Sequence, residues 1–433
     1  MHRQIVLPLS LLFSLSIGGA FADTNDAESN YLESLYLHFH RNPELSFREN
    51  ETAARMANEL QGLGFAVTRN FGGTGVVAIL ENGQGPTLLV RADMDALPVK
   101  EQTGLDYASK VMAQSIDGIN KPVMHACGHD VHMTALIGTA RRLAAARDSW
   151  RGTLIMIAQP AEERGAGAKA MLEDGLFTKF PRPDYNLALH VSAGIPAGRV
   201  GYLAGPALAN VDSVDITVYG IGGHGAYPHW TKDPIVLAAQ IINSLQTVVS
   251  RELSPLEPAV VTVGSIHGGH KHNVIPDEVK MQLTLRSYTL EVREKMIGAI
   301  QRIVKNLAVA AGLAADKMPT VEVKDEFTPV AYNNPPLTQR LAEIFKRTLG
   351  AENVIETTPV MGGEDFGRYG QVEPKIPSMI FWLGAVDRKK YAASQDGGAQ
   401  LPSLHSPFFA PEYGPTLKTG VAAMSAAAVE LLQ

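Results

Sequence analysis

The chain of 433 residues holds one cysteine, few aromatic residues (7%) and no long basic run. Each scarcity excludes something. A single cysteine has no partner within the chain, so the fold rests on its core and not on disulfide staples. A net charge of −6, with aromatics that do not interleave with Lys or Arg, argues against nucleic acid as a partner. Beyond the first 22 residues no apolar run is long enough to span a bilayer. Those first 22 residues read as an export segment. His2 and Arg3 give a positive start, Ile5 to Ile17 is apolar but broken by Pro8 and serines, and Ala20-Phe21-Ala22 fits a small-x-small cleavage site. The mature protein is therefore expected to begin at Asp23, free of the membrane, in the periplasm or outside the cell. There an unpaired thiol is a liability unless something occupies it, and a metal would.

What the chain does have is ordinary globular composition, 45% hydrophobic and 19% charged, at a length that suits two domains. Pro43 separates two helical patterns between Asn30 and Phe65, after which strand and helix patterns alternate. Leu154–Ala158 and Asn186–Leu189 are continuous apolar runs, as in strands buried on both faces, and Asp130–Arg147 is an amphipathic helix. This predicts an α/β fold with a mostly parallel sheet. Between residues 207 and 328 the order changes to strand Val214–Tyr219, helix Pro234–Arg251, strands Ala259–Ser265 and Val279–Arg286, helix Leu290–Ala311 and strand Thr320–Glu326. That βαββαβ order is the ferredoxin-like unit. It reads as an insertion that divides a larger domain into residues 23–206 and 329–433.

Ionisable groups follow the predicted strands: Arg91, Asp93 and Asp95 after Leu88–Val90, Glu162 and Glu163 after Leu154–Ala158, and His190 after Leu187–Leu189. Sites of open α/β sheets form outside the carboxyl ends of their strands. In His125-Ala-Cys127-Gly128-His129-Asp130 the lone cysteine stands one residue from a histidine, with a glycine between that permits a tight backbone. Cys127 and His129 read as metal ligands. His125 is taken as supporting them and His132 as an ordinary residue of the following helix. Adjacent glutamates on an extended backbone point to opposite sides, so one of Glu162 and Glu163 can ligate while the other faces substrate. His190 and His405 complete the set that metal-assisted hydrolysis needs. His224 lies in a Gly-rich turn, and His267, His270 and His272 in a solvated loop.

These residues in this order resemble the exopeptidase family of carboxypeptidase G, aminoacylases and succinyl-diaminopimelate desuccinylase, and most of all its amidohydrolase branch of hippurate hydrolases, N-acyl-amino-acid amidohydrolases and plant auxin-conjugate hydrolases. The likeness runs from His40–Ser46 through Arg91–Pro98, His125–Asp130, Glu162-Glu163, Gly223–His229 and Asn273–Pro276 to Met361–Phe366. It implies a zinc-exopeptidase-like catalytic domain with the inserted unit as lid and dimerisation domain. It also implies two divalent metal ions, Zn or Mn, with Co or Ni as alternatives. By the resemblance Cys127 bridges them, His129 and Glu163 complete one site, and His190 and His405 the other. Glu162 becomes the general base and His224 the oxyanion donor, while Asn273, Arg286 and Gly362 bind substrate. The wider family's His-x-Asp falls at Asp93-Met94-Asp95, which leaves these aspartates to orient ligands. The expected substrate is an N-acyl amino acid and the expected assembly a homodimer. A dipeptidase or carboxypeptidase of the same clan is the rival enzyme, and a periplasmic solute-binding protein the rival from another class.

Overall fold

In a computed structural model the described residues are 26–433 except Ile116, so the expected export segment lies outside them. In chain order the principal strands are β1 (Ala66–Phe71), β2 (Gly75–Asn82), β3 (Thr87–Asp93), β4 (Gly152–Gln159), β5 (Tyr185–Pro196), β6 (Val200–Tyr202), β7 (Asn210–Tyr219), β8 (Ala259–His267), β9 (Glu278–Ser287), β10 (Thr320–Val323), β11 (Val354–Glu356) and β12 (Ser378–Val386). The long helices are α1 (Asp26–Arg41), α2 (Asn50–Gly62), α3 (His129–Ala145), α4 (Pro234–Thr247), α5 (Leu290–Ala310), α6 (Pro335–Leu349) and α7 (Tyr413–Leu431).

Eight strands form one sheet in the order β1-β2-β4-β3-β5-β12-β6-β11. Its heart, β4-β3-β5-β12, is parallel, and β1 and β2 add antiparallel strands at one edge. The apolar runs explain why this heart forms. Leu88, Val90, Leu154 and Met156 pack under α1, α3, α6 and α7, while Leu89, Ile155 and Ile157 pack with Met171, Phe366 and Tyr369 on the opposite face. Side chains alternate across a strand, so burying both faces demands an unbroken apolar sequence. Each such Leu or Ile contributes about 1.5–3 kcal/mol by leaving water.

A second sheet, β8-β9-β7-β10, is antiparallel throughout and carries α4 and α5 on one face around Val214, Ile216, Leu237, Ile241, Met296 and Ile300. Placing its first strand between its third and fourth is the ferredoxin-like arrangement. Both helices start on side-chain caps. Asp233 accepts from the Ile235 N–H, with Pro234 following, and Thr289 accepts from the Val292 N–H. The helix expected to reach Arg251 ends as α-helix at Thr247 and widens into a π-helical turn over Val248–Glu252, closed by Leu253 N–H donating to the Val248 carbonyl. Among the described residues no helix is long and apolar enough to cross a membrane.

Candidate active site

The His125–Asp130 loop leads into the first turn of α3. Gly128 caps that helix at φ 80°, a left-handed conformation that suits glycine, and a Cβ there would lie 2.5 Å from Val191 Cγ2. This close approach brings Cys127 and His129 against β5. The Cys127 sulfur stands 3.6 Å from His190 Nε2 and 3.3 Å from His405 Nε2, although His405 is 278 residues away in the chain. His405 itself sits at φ 66°, unusual for a residue with a side chain, and its N–H donates to the Ala126 carbonyl at 2.9 Å. Glu163 Oε2 lies 3.4 Å from His405 Nε2, and Glu163 Oε1 3.9 Å from His129 Nε2.

Three details differ from the sequence reading. Glu162 and Glu163 are not on an extended backbone. Ala161 turns left-handed after Pro160, and residues 162–164 form one 3₁₀ turn. The turn is held by Asp95, whose carboxylate accepts from the Glu162 N–H at 3.0 Å and from the Glu163 N–H at 3.1 Å. Nor is His132 an ordinary helix residue. It is buried, Nδ1 lies 2.6 Å from Asp93 Oδ1, and Nε2 accepts from the Val191 N–H, so Nδ1 donates to the aspartate. His190 also stands within β5, which runs on to Pro196, and not at its end.

The donor set fits metal ions. His129 Nδ1 faces the Asp95 carbonyl at 2.8 Å and His190 Nδ1 the Val191 carbonyl at 2.8 Å, which fixes each ring with Nε2 turned into the cluster. Buried His129 Nε2 and Glu163 Oε1 have no hydrogen-bond partner there. Cys127 belongs to two candidate ligand groups, one with His129 and His190, the other with Glu163 and His405. The electrostatics point the same way. Burial, then Glu163 and Glu162, push the Cys127 thiol well up. Burial would lower the His129 pKa, but Asp93, Asp95 and Glu163 raise it to about 10. The cluster attracts positive charge, and a bound cation would stand where that proton does. His125 is buried with neither ring nitrogen hydrogen-bonded, and burial lowers its pKa to about 4.

Arg91 is the feature that sequence reasoning left without a role. Fully buried, it donates to Asp93 (2.7 Å), Glu364 (2.8 and 3.2 Å), Asp365 (3.1 Å) and Gln159 (3.0 Å). It thereby ties β3 to the Met361–Phe366 segment beside Glu162. Burial, then Glu364 and Glu163, hold Glu162 well above the usual carboxylate range.

Two cavities open on the cluster, and Cys127, His190, Arg286, Gly363 and His405 border both. One, of about 440 Å³, is lined by charged groups including Glu162, Glu163, Arg164, Glu326 and Glu364. The other, of about 820 Å³, is mostly apolar and includes Gly362. Arg286 is half-buried. Its Nε donates to Thr284 Oγ1 at 3.1 Å, and burial alone lowers its pKa, with no carboxylate among the described residues facing it. His224 and Asn273 do not line either cavity. Both are exposed, His224 on a short antiparallel pairing of Gly223–His224 with Val274–Ile275 and Asn273 just before it. His270 and His272 are exposed outside helix and strand as expected, while His267, also exposed, ends β8.

Comparison with known proteins gives this geometry a family. Residues 89–405 match the model of Peptidase family M20/M25/M40. Thermostable carboxypeptidase 1 of Saccharolobus solfataricus is 38% identical over 90% of this chain and 93% of its own. The hippurate hydrolase of Campylobacter jejuni is 38% identical over 79% of this chain and 85% of its own. A solved Bacillus subtilis structure, described as a dinuclear metal binding peptidase from the M20 family, superposes with a TM-score of 0.75 at 30% identity, over 94% of this chain and 99% of that one. The chain belongs to peptidase family M20/M25/M40 and is a metal-dependent hydrolase acting on amides.

Proposed function

We propose that this hydrolase cleaves the amide bond of N-acyl amino acids, releasing the free amino acid and a carboxylic acid. The observation that carries this is Arg286, a half-buried guanidinium without an anionic partner among the described residues, at the junction of both cavities beside Cys127 and His405. A planar donor fork in that position suits the free carboxylate of an amino acid. The hippurate hydrolase relative supports the same substrate class.

Two divalent ions, Zn or Mn, with Co or Ni as alternatives, would be held by Cys127 between them, with His129 and Glu163 on one side and His190 and His405 on the other. When bound, such ions lower the pKa of water towards about 7 and polarise the scissile carbonyl. The chain's own groups do the rest. Glu162 takes one proton from the attacking water, whose oxygen joins the carbonyl carbon. As the C–N bond breaks, Glu162 returns that proton to the leaving amine, so one carboxylate serves as base and then acid. Asp95 orients both glutamates through their backbone N–H groups, and Asp93 orients His132. His224 accepts from the Ala226 N–H through Nδ1 at 3.0 Å, which leaves Nε2–H free to donate. Its exposure fits a role as oxyanion donor in the site of a second copy docked through the inserted unit, with Asn273 beside it binding the substrate. A location outside the cytoplasm belongs to the same proposal, supported by the positive start, apolar run and small-x-small motif within residues 1–22 of the sequence.

The test is amino-acid release from N-acetyl, N-benzoyl and indole-acetyl amino acids and from dipeptides, with and without a chelator. Chelator-sensitive release from the N-acyl series supports the reading. Release confined to dipeptides would replace it with the carboxypeptidase or dipeptidase alternative, which the carboxypeptidase relative represents.

A further inference from the structure

Glu49 is wholly buried, and among the described residues no Lys, Arg or His forms an ion pair with it. A buried carboxyl without a cation is costly, so what its oxygens hold matters. Glu49 stands at the N-cap of α2, where a side-chain oxygen would ordinarily take the free N–H groups of its own helix. It makes no such bond. Glu44 takes them instead, accepting from the Thr52 N–H at 2.8 Å and the Glu51 N–H at 3.3 Å. The Glu49 side chain turns away from its helix. Its Oε1 accepts from the Ala161 N–H at 2.9 Å, 112 residues along the chain, and its Oε2 from the Thr74 hydroxyl.

Ala161 is a residue that needs holding. At φ 50° and ψ 40° it is left-handed, a conformation that alanine avoids and that persists where the surroundings impose it. It leads the chain from the end of β4 into the 3₁₀ turn that carries Glu162 and Glu163. The Ala161 carbonyl accepts from the Ala166 and Gly167 N–H groups, both at 3.2 Å, which closes the turn on itself. Its buried N–H is fixed from outside, by Glu49. The same loop braces the turn a second time. Ser46 Oγ donates to Asp95 Oδ2 at 2.6 Å, and Asp95 accepts from the Glu162 and Glu163 N–H groups.

Resting on the role given above to Glu162, we propose that Glu49 is a positioning residue for the reaction: through the Ala161 N–H it holds the left-handed turn that carries the acid–base carboxylate. Glu49 borders neither cavity and acts only through Ala161. What the site requires of it is an acceptor oxygen at the reach of a glutamate side chain, and not its charge.

Two substitutions separate reach from charge. Glu49→Gln removes the charge and keeps the length. Its amide oxygen accepts the same N–H, and the Thr74 hydroxyl can turn to accept from its NH₂ group. Glu49→Asp keeps the charge and withdraws the oxygens by one methylene, and an N-cap aspartate also suits its own helix. With the metal-loaded full-length enzyme acting on N-benzoylglycine and N-acetylglycine, Glu49→Gln should keep kcat within threefold of wild type. Glu49→Asp should lower kcat at least tenfold while KM stays within threefold. Adding Ala161→Gly, which needs no tether to be left-handed, should recover at least fivefold of that loss. Hydrogen exchange read by mass spectrometry, with chelator present, measures the bond itself. The Ala161 N–H should exchange at least tenfold faster in Glu49→Asp than in wild type, and within twofold of wild type in Glu49→Gln. A folded Glu49→Asp with kcat within threefold of wild type would overturn the proposal, as would a Glu49→Gln that is equally slow. Unprotected exchange of the Ala161 N–H in the wild type would overturn it without any variant. A wild type that cleaves neither substrate would instead bring down the functional reading and the reaction Glu49 serves, while the exchange rates would still decide whether Glu49 holds the turn.

Discussion

Gly128 joins a candidate metal ligand on each side of it, and the cost of a methyl group there divides into two parts that can be measured apart. Alanine at φ 80° meets the left-handed penalty of about 1–2 kcal/mol. Its Cβ would also lie 2.5 Å from Cγ2 of Val191, a buried β-branched side chain that cannot swing away, and overpacking of this kind costs about 1–3 kcal/mol. Gly128→Ala should therefore destabilise by roughly 2–5 kcal/mol. Val191→Ala removes two methyl groups at about 0.8 kcal/mol each, plus a cavity term. In the double variant the new methyl occupies the vacated space, so the steric part disappears and the backbone part stays. The double-mutant cycle should return a coupling of about 1–3 kcal/mol in urea unfolding followed by circular dichroism, with chelator present so that metal affinity does not contribute. Metal content of untreated Gly128→Ala should fall in parallel, because the methyl forces Cys127 and His129 away from β5. A coupling near zero would show that α3 moves bodily and that Val191 does not hold the loop, refuting the steric argument.

Other consequences follow from the same geometry. Glu162→Gln should lower kcat by at least about 10²–10⁴ while metal content by mass spectrometry stays at the wild-type level, and a near-normal rate would remove its acid–base role. Arg286→Ala should raise KM about 10–100-fold for substrates with a free carboxylate, equivalent to about 1.5–3 kcal/mol for a hydrogen bond to a charge, and much less for their amides. Arg91→Met should destabilise by about 3–5 kcal/mol in urea, because Asp93, Glu364 and Asp365 are left buried without their cation. His40 gives the pH dependence. Burial alone would lower its pKa, but hydrogen bonds and charge from Asp130 and Glu101 raise it from 6.5 to about 9. A raised pKa means stability fully present below pH 6.5 and lost as the pH climbs to about 9, about 3 kcal/mol in order of magnitude. His40→Gln should flatten the urea midpoint over that window, and an unchanged slope would show that the histidine does not carry it.

The parallel heart of the sheet could be read from the chain because burial on both faces leaves no room for polar residues in Leu88–Val90 or Leu154–Ala158. The ferredoxin-like unit was legible for the opposite reason. Its β7 buries Val214, Ile216 and Val218 against helices while Asp215 and Thr217 face outward, which writes a period of two. Gly128 was legible because a glycine between two close polar side chains signals a tight backbone, and its φ is left-handed. The Glu162–Glu163 turn was not. Its shape depends on Ala161 entering the left-handed region and on Asp95, 67 residues upstream, accepting the Glu162 N–H. No local pattern announces a partner so remote. His132 was misread for a related reason, since its spacing fits the apolar face of α3 and only the fold shows Asp93 and the Val191 N–H waiting for its two nitrogens. Arg91 stood in a recognised motif, yet three of the groups that surround it arrive from near residues 159 and 364. The cavity walls are the extreme case, assembled from segments that share no spacing at all.

Asp95 has a consequence for how such an enzyme can change. Its carboxylate fixes the backbone of both glutamates, and its carbonyl oxygen fixes the ring of His129. In the proposed mechanism proton transfer and metal placement thus share one anchor, and any shift of that residue disturbs both together. Trp382, Leu401 and the other walls of the large cavity touch none of these bonds. Substitutions at those walls can therefore reshape the large cavity while the Asp95 anchor stays as it is.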